Sequence, residues 1–241
     1  MWRVIIAFLL VGCAGIGSGD NMIVVVPNRP DLYTVATIQK ITDPTAPVHI
    51  YIEGDGHAFD KAGNPTNNPT PQSHLVRDMA MADNAPNVAY VARPCQFVMD
   101  EKCNLRDWTT GRFSTAMVDS VANAIKTIAG TRPVILVGYS GGAMISGLII
   151  QNHSEINVKK WITIAGVLNH ADWTKYFNDE PLVHSLNLNR LPRVSATHYI
   201  AERDKIVPKT LSEKWLRGEK IIFVPNATHG NIKIRNFDFS D

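Results

Sequence analysis

Ser140 sits in the run Val134-Ile135-Leu136-Val137-Gly138-Tyr139-Ser140-Gly141-Gly142-Ala143, where an apolar, strand-like stretch feeds into G-x-S-x-G and then into small residues. Glycines at 138 and 142 let a strand turn sharply into a helix. The serine between them is held in a strained backbone conformation with its hydroxyl lifted out of the turn. A serine so placed is a candidate nucleophile. Its hydroxyl is protonated near neutral pH, so attack needs a base to take the proton, and the base needs an acid to hold its tautomer. For the base, His229 follows the apolar run Ile221–Val224 through Pro225-Asn226-Ala227-Thr228 and precedes Gly230. For the acid, Asp204 lies just beyond the run Thr197–Ala201, in Glu202-Arg203-Asp204-Lys205-Ile206-Val207-Pro208. Glu202, two residues upstream, and Asp172, after the sixth candidate strand, compete with Asp204. Of the eight histidines, His49 and His198 fall inside strands, and His153, His170 and His184 have no strand-end setting.

The elements that must position these residues alternate in type from Met22 onward, which predicts an α/β fold with a largely parallel sheet. Eight strands are expected: Met22–Val26, Tyr33–Ile38, Val48–Glu53, Val88–Ala92, Val134–Val137, Trp161–Ala165, Thr197–Ala201 and Ile221–Val224. Between them, Ser73–Asp83 keeps Leu75, Val76, Met79 and Ala80 on one helical face, and Phe113–Ile128 does the same with Met117, Val121, Ala124, Ile125 and Ile128. Ala143–Gln151 is the helix after the serine turn, and Pro208–Leu216 opens with a proline suited to a first helical turn. Asn64–Pro71, with three prolines and three asparagines, is a loop.

The order Ser140, Asp204, His229, together with the strand-Asp-x-Ile-Val-Pro segment and the terminal strand-loop-His, resembles the α/β-hydrolases over most of residues 22–241. It is similar in particular to exported or lipoprotein hydrolases of bacteria that carry an Arg-Pro-Cys segment after the fourth strand, here Arg93-Pro94-Cys95. The resemblance implies an eight-stranded sheet with helices on both faces and the site at the strands' carboxyl edges. It also implies an oxyanion hole. One donor is the N–H of Gly141; the other comes from the loop Glu53-Gly54-Asp55-Gly56-His57-Ala58, which resembles the family's His-Gly-x-Gly signature with Glu53 in place of the histidine. That departure leaves the second donor open between Asp55 and Gly56, and His57 either touches substrate or caps the loop. Residues 166–192 leave room for a few short helices and no large lid. Trp173, Tyr176 and Phe177 there could roof a pocket or belong to the core.

A chain of 241 residues with 45% hydrophobic residues can bury one sizeable core. Net charge is +2 with no basic tract, which gives no footprint for nucleic acid and favours a small-molecule partner. The amino terminus is a separate matter. Met1-Trp2-Arg3 precedes a short apolar run, Val4 to Val11, that reads as a signal peptide over residues 1–12. Leu10-Val11-Gly12-Cys13 resembles a lipobox, in which Cys13 becomes the lipidated first residue and a tether over 13–21 links a membrane anchor to the hydrolase domain at 22–241. A plain cleaved signal is the alternative. An exported chain meets an oxidising compartment, so Cys95 and Cys103 are expected to pair, with two free thiols as the alternative. No histidine lies between them, and two thiols do not complete a zinc site. Three functions compete: a serine esterase needing no metal or organic cofactor, an amidase or peptidase with the same residues, and a non-catalytic envelope-binding module on the same fold.

Overall fold

The computed structural model describes residues 22–234 and 236–239. Residues 1–21, with Cys13 and the expected signal peptide and tether, lie outside the described residues.

Among the described residues, eight strands form one sheet: β1 (Ile23–Val25), β2 (Val35–Ile41), β3 (Val48–Ile52), β4 (Asn87–Val91), β5 (Val134–Tyr139), β6 (Val158–Ile164), β7 (Ser195–Ala201) and β8 (Ile221–Val224). Their order is β1-β2-β4-β3-β5-β6-β7-β8. β2 runs antiparallel to both β1 and β4, and every later neighbour pairs in parallel. The described residues also form five α-helices: α1 (Leu75–Met81), α2 (Thr115–Ala129), α3 (Gly141–Asn152), α4 (His170–Phe177) and α5 (Lys209–Trp215).

Strand periodicity builds two cores. Side chains alternate across a pleated sheet, so Val48, Ile50, Ile52, Val134 and Leu136 join Phe113, Ile125, Met144 and Ile145 under α2 and α3. Tyr51, Ile135 and Val137 pack on the opposite face with Val76, Met79 and Ala80 of α1. The central strands are covered on both sides, which is why β4 and β5 read as unbroken apolar runs. The carboxyl-terminal segment seals the second face: Phe237 meets the edges of Tyr51 and Tyr199, and Phe239 lies 4.2 Å from the His49 ring.

Two of the boundaries that differ from the sequence expectation are set by partners distant in the chain. β2 starts at Val35 because Tyr33 is held elsewhere, its N–H donating to Ser120 Oγ and its hydroxyl to Asp107. α1 stops at Met81, which frees the Asp83 carboxylate to accept from the Tyr51 hydroxyl and to pair with His49 Nδ1 at 2.7 Å. Between β6 and β7 stand only α4 and loops, in keeping with the expected lack of a large lid.

Candidate active site

The turn between β5 and α3 works only with glycines around the serine. A Cβ on Gly138 would fall 2.5 Å from the Gly142 carbonyl oxygen, and one on Gly142 would fall 2.4 Å from the Ile52 carbonyl oxygen. The second clash shows how tightly α3 starts against the end of β3. Ser140 takes φ 52°, ψ −120°. That conformation costs a non-glycine residue about 1–3 kcal/mol and persists because its surroundings hold it. Ser140 N–H donates to Ile164 O at 2.9 Å, and its carbonyl accepts from Ala143 and Val167.

Asp204 follows β7 and is pinned by the chain just after it. Its Oδ1 accepts the N–H groups of Ile206 and Val207, both at 2.8 Å, and its side chain is wholly buried. The other oxygen faces His229 Nδ1 at 2.8 Å. His229 opens a short 3-10 turn after β8, and its carbonyl accepts from the Tyr139 hydroxyl at 2.8 Å. With Nδ1–H donated to Asp204, Nε2 presents its lone pair to Ser140 Oγ at 2.9 Å. The structure therefore brings Ser140, His229 and Asp204 into one hydrogen-bonded line.

The other residues weighed for these roles lie elsewhere. Asp172 is taken by Lys214 and Trp215, each at 2.7 Å, and bridges α4 to α5. Glu202 is exposed and accepts from the Asn226 N–H. His198 is in the core against Trp161, and burial pushes its imidazole down to about 4, so it stays neutral. His153 is shared between Asp119 and Glu155.

Across from the imidazole, Gly141 begins α3 beside Asp55. A Cβ on Gly141 would lie 2.1 Å from Asp55 Oδ1. Gly56, at φ 65°, packs on the segment at 69–71, where a Cβ would come within 2.2 Å of the Pro69 carbonyl oxygen. Among the described residues, none of the N–H groups of Gly141, Asp55 and Gly56 has an acceptor. His57 lines the cleft and donates its N–H to Pro69 O at 3.0 Å.

No protein-family model matches this chain, and no curated protein matches it significantly. Solved structures do match. Est1E from Butyrivibrio proteoclasticus superposes with a TM-score of 0.57 at 11% identity, covering 86% of this chain and 90% of the other. An esterase from Pyrococcus furiosus gives 0.56 at 12%, covering 87% and 85%. A Xanthomonas campestris protein described as an α/β serine hydrolase without lid gives 0.53 at 14%, covering 89% and 87%. The chain has the α/β-hydrolase fold.

In α/β-hydrolase terms the site opens into a cleft of about 890 Å³ at the carboxyl ends of the strands. Ser140, Tyr139 and His229 share its lining with Phe59, Arg112, Trp173 and Ile206. Trp173 therefore lines the cleft while Tyr176 is exposed outside it. The loop after β3 is braced by residues that sequence reasoning did not assign to the site. Glu53 is buried; its Oε1 accepts the Gly54 N–H and its Oε2 the Tyr90 hydroxyl, each at 2.9 Å. Burial pushes its carboxyl up to about 7. Asp55 is clamped by Arg93 Nη1 on one oxygen and by Arg112 Nη1, at 2.8 Å, on the other. Burial would raise the Asp55 carboxyl, but the two guanidinium groups outweigh it and hold it below the usual range. Cys95 and Cys103 form a disulfide, and the loop it closes places Gln96 to donate to the Gly54 carbonyl at 3.0 Å. Among these braces, Arg93-Pro94-Cys95 and Glu53 carried a sequence signal through family resemblance, and Cys95 and Cys103 as an expected pair; nothing in the chain pointed to Arg112.

Proposed function

We propose that this protein is a serine hydrolase that cleaves a small ester through an acyl-enzyme, with Ser140 as nucleophile, His229 as base and then acid, and Asp204 as the orienting carboxylate. The observation that carries this reading is the line Asp204–His229–Ser140, joined at 2.8 and 2.9 Å on a serine at positive φ. As Oγ attacks the carbonyl carbon, its proton passes to Nε2, and the imidazolium is stabilised by Asp204. The oxyanion then forms beside Gly141, whose N–H is one donor. The second is the N–H of Asp55 or Gly56. Collapse of the tetrahedral species expels the alcohol, which takes the proton from His229. Water then releases the acid by the same steps.

Esterase naming among structural neighbours and the open, lidless cleft support a small ester over an amide or bulk lipid. The test is turnover of short-chain p-nitrophenyl esters against aminoacyl p-nitroanilides by the wild-type chain and Ser140→Ala. Ester turnover lost in the variant is the expected result; amide turnover alone would replace the ester reading.

For the cell envelope, the disulfide supports export to an oxidising compartment, and the mature chain is proposed to begin at a lipidated Cys13. Labelling with a fatty-acid analogue should mark the wild-type chain and not Cys13→Ser; equal labelling, or none in either, removes the anchor.

A further inference from the structure

Arg112 is far more constrained than a surface arginine. Its side chain is only 8% exposed, with Nε donating to Thr109 O at 2.9 Å and Nη1 to Asp55 at 2.8 Å. The guanidinium lies over the Phe59 ring at 5.4 Å and the Trp173 ring at 5.8 Å. Among the described residues Nη2 has no hydrogen-bond partner, nor is it one of the unpaired atoms sealed away from solvent. A planar cation fixed on one edge, flanked by rings and open on another edge presents a ready-made fork to a carboxylate.

The charges around it do not cancel. Arg93 and Arg112 share Asp55 as their ion-paired carboxylate, and the next acid acting on Arg93, the buried Glu53, has its carboxyl pushed up to about 7 and balances the second guanidinium only in part. That cluster is next to the reacting centre, since a Cβ on Gly141 would stand 2.1 Å from Asp55 Oδ1 and 2.9 Å from Arg93 Nη1. A void of about 10 Å³ borders Arg112 on the side of Asp107 and Trp108, enough for a water and nothing larger. An organic anion must therefore arrive through the main cleft, which Phe59 and Trp173 also line.

We propose that Arg112 is a substrate anchor, and that the preferred ester carries a carboxylate a few atoms from the scissile bond, paired with Arg112 while its hydrocarbon arm packs by Phe59 and Trp173. This rests on the hydrolase reading. A monoanion suits this partial surplus of positive charge. Asp60, Asp179 and Glu180 line the same cleft and disfavour a phosphate dianion.

The experiment compares kcat/KM within two ester pairs. Mono-p-nitrophenyl glutarate against p-nitrophenyl butyrate puts the carboxylate on the acyl arm; 4-acetoxybenzoate against phenyl acetate puts it on the alcohol arm. In the wild-type chain one charged ester should exceed its neutral partner about tenfold, chiefly through KM, as expected for a charge-assisted contact. Arg112→Gln should bring that ratio to about one, and Arg112→Lys should keep part of it. Because each ratio is taken within one variant, general damage from loosening Asp55 cancels. Wild-type ratios of one or less in both pairs, or a ratio untouched by Arg112→Gln, overturn the anchor while leaving the hydrolase reading intact. If Arg112→Gln fails to fold, the wild type decides: glutarate should inhibit butyrate ester hydrolysis about tenfold better than glutaramide, and equal inhibition overturns the proposal. If all four esters are inert, the ester reading fails separately. Glutarate should still raise the thermal midpoint of the wild-type chain, and no shift removes the anchor too.

Discussion

The two sides of Ser140 are built differently. On the imidazole side, His229 and Asp204 come from loops after the adjacent strands β7 and β8, 25 residues apart, and Asp204 is fixed by the two N–H groups of its own turn. On the other side, Asp55 is held by arginines 38 and 57 residues away, and Gly54 by Gln96 from the disulfide loop 42 residues on. The first arrangement needs a correct strand order and little else. The second needs several distant segments docked at once, so damage there should appear as lost stability together with lost rate.

The largest effects belong to the imidazole side. Ser140→Ala and His229→Ala should lower turnover by about 10⁴- to 10⁶-fold, and Asp204→Asn by about 10⁴-fold through a disturbed tautomer. All three should keep thermal midpoints near wild type. Asp172→Asn should retain activity, since that carboxylate serves Lys214 and Trp215; full activity in Asp204→Asn with loss in Asp172→Asn would reverse the assignment.

Arg93→Gln is the matching change on the other side. It removes one of the two partners of a part-buried carboxylate and the donor to the Arg112 carbonyl, and should cost about 2 kcal/mol of stability with a drop in turnover alongside. Denaturant melts and rates on the same preparations decide it: a lowered rate at unchanged stability would break the contrast between the two sides.

A smaller effect separates the sides by pH. The folded-state value of Glu53, about 7, lies above its ordinary 4.5 because burial disfavours the charged carboxylate. The folded chain therefore keeps a proton that the unfolded chain releases, and this residue's contribution to stability falls as pH rises through that window and is lost above it. Glu53→Gln keeps an acceptor for Gly54 N–H and a polar partner for Tyr90 while removing the titration. Between roughly pH 5 and 8 the wild-type chain should lose up to about 3 kcal/mol relative to this variant; parallel stability curves would contradict the account. Reduction of Cys95–Cys103 should cost about 2 to 3 kcal/mol by the chain-entropy model, read as a lower midpoint in reductant.

What could be read from the sequence follows the same division. The strands are legible because β4 and β5 are apolar on both faces, and Ser140, Asp204 and His229 stand out because each closely follows such a run. The termini of β2 and α1 were not legible, since Tyr33 and Asp83 are drawn away by partners distant in the chain. Nor was the clamp on Asp55. The sequence marks that position as a candidate for a backbone N–H donor in a glycine-rich loop, and no local pattern pairs its carboxylate with arginines tens of residues distant.

The central claim is that Ser140 is an activated nucleophile. Its most direct test is reaction with a fluorophosphonate at neutral pH, read by intact mass and peptide mapping. The account predicts one adduct per chain, on Ser140, absent in Ser140→Ala and formed far more slowly in His229→Ala. No adduct on the folded wild-type chain, or one on another residue, would contradict it.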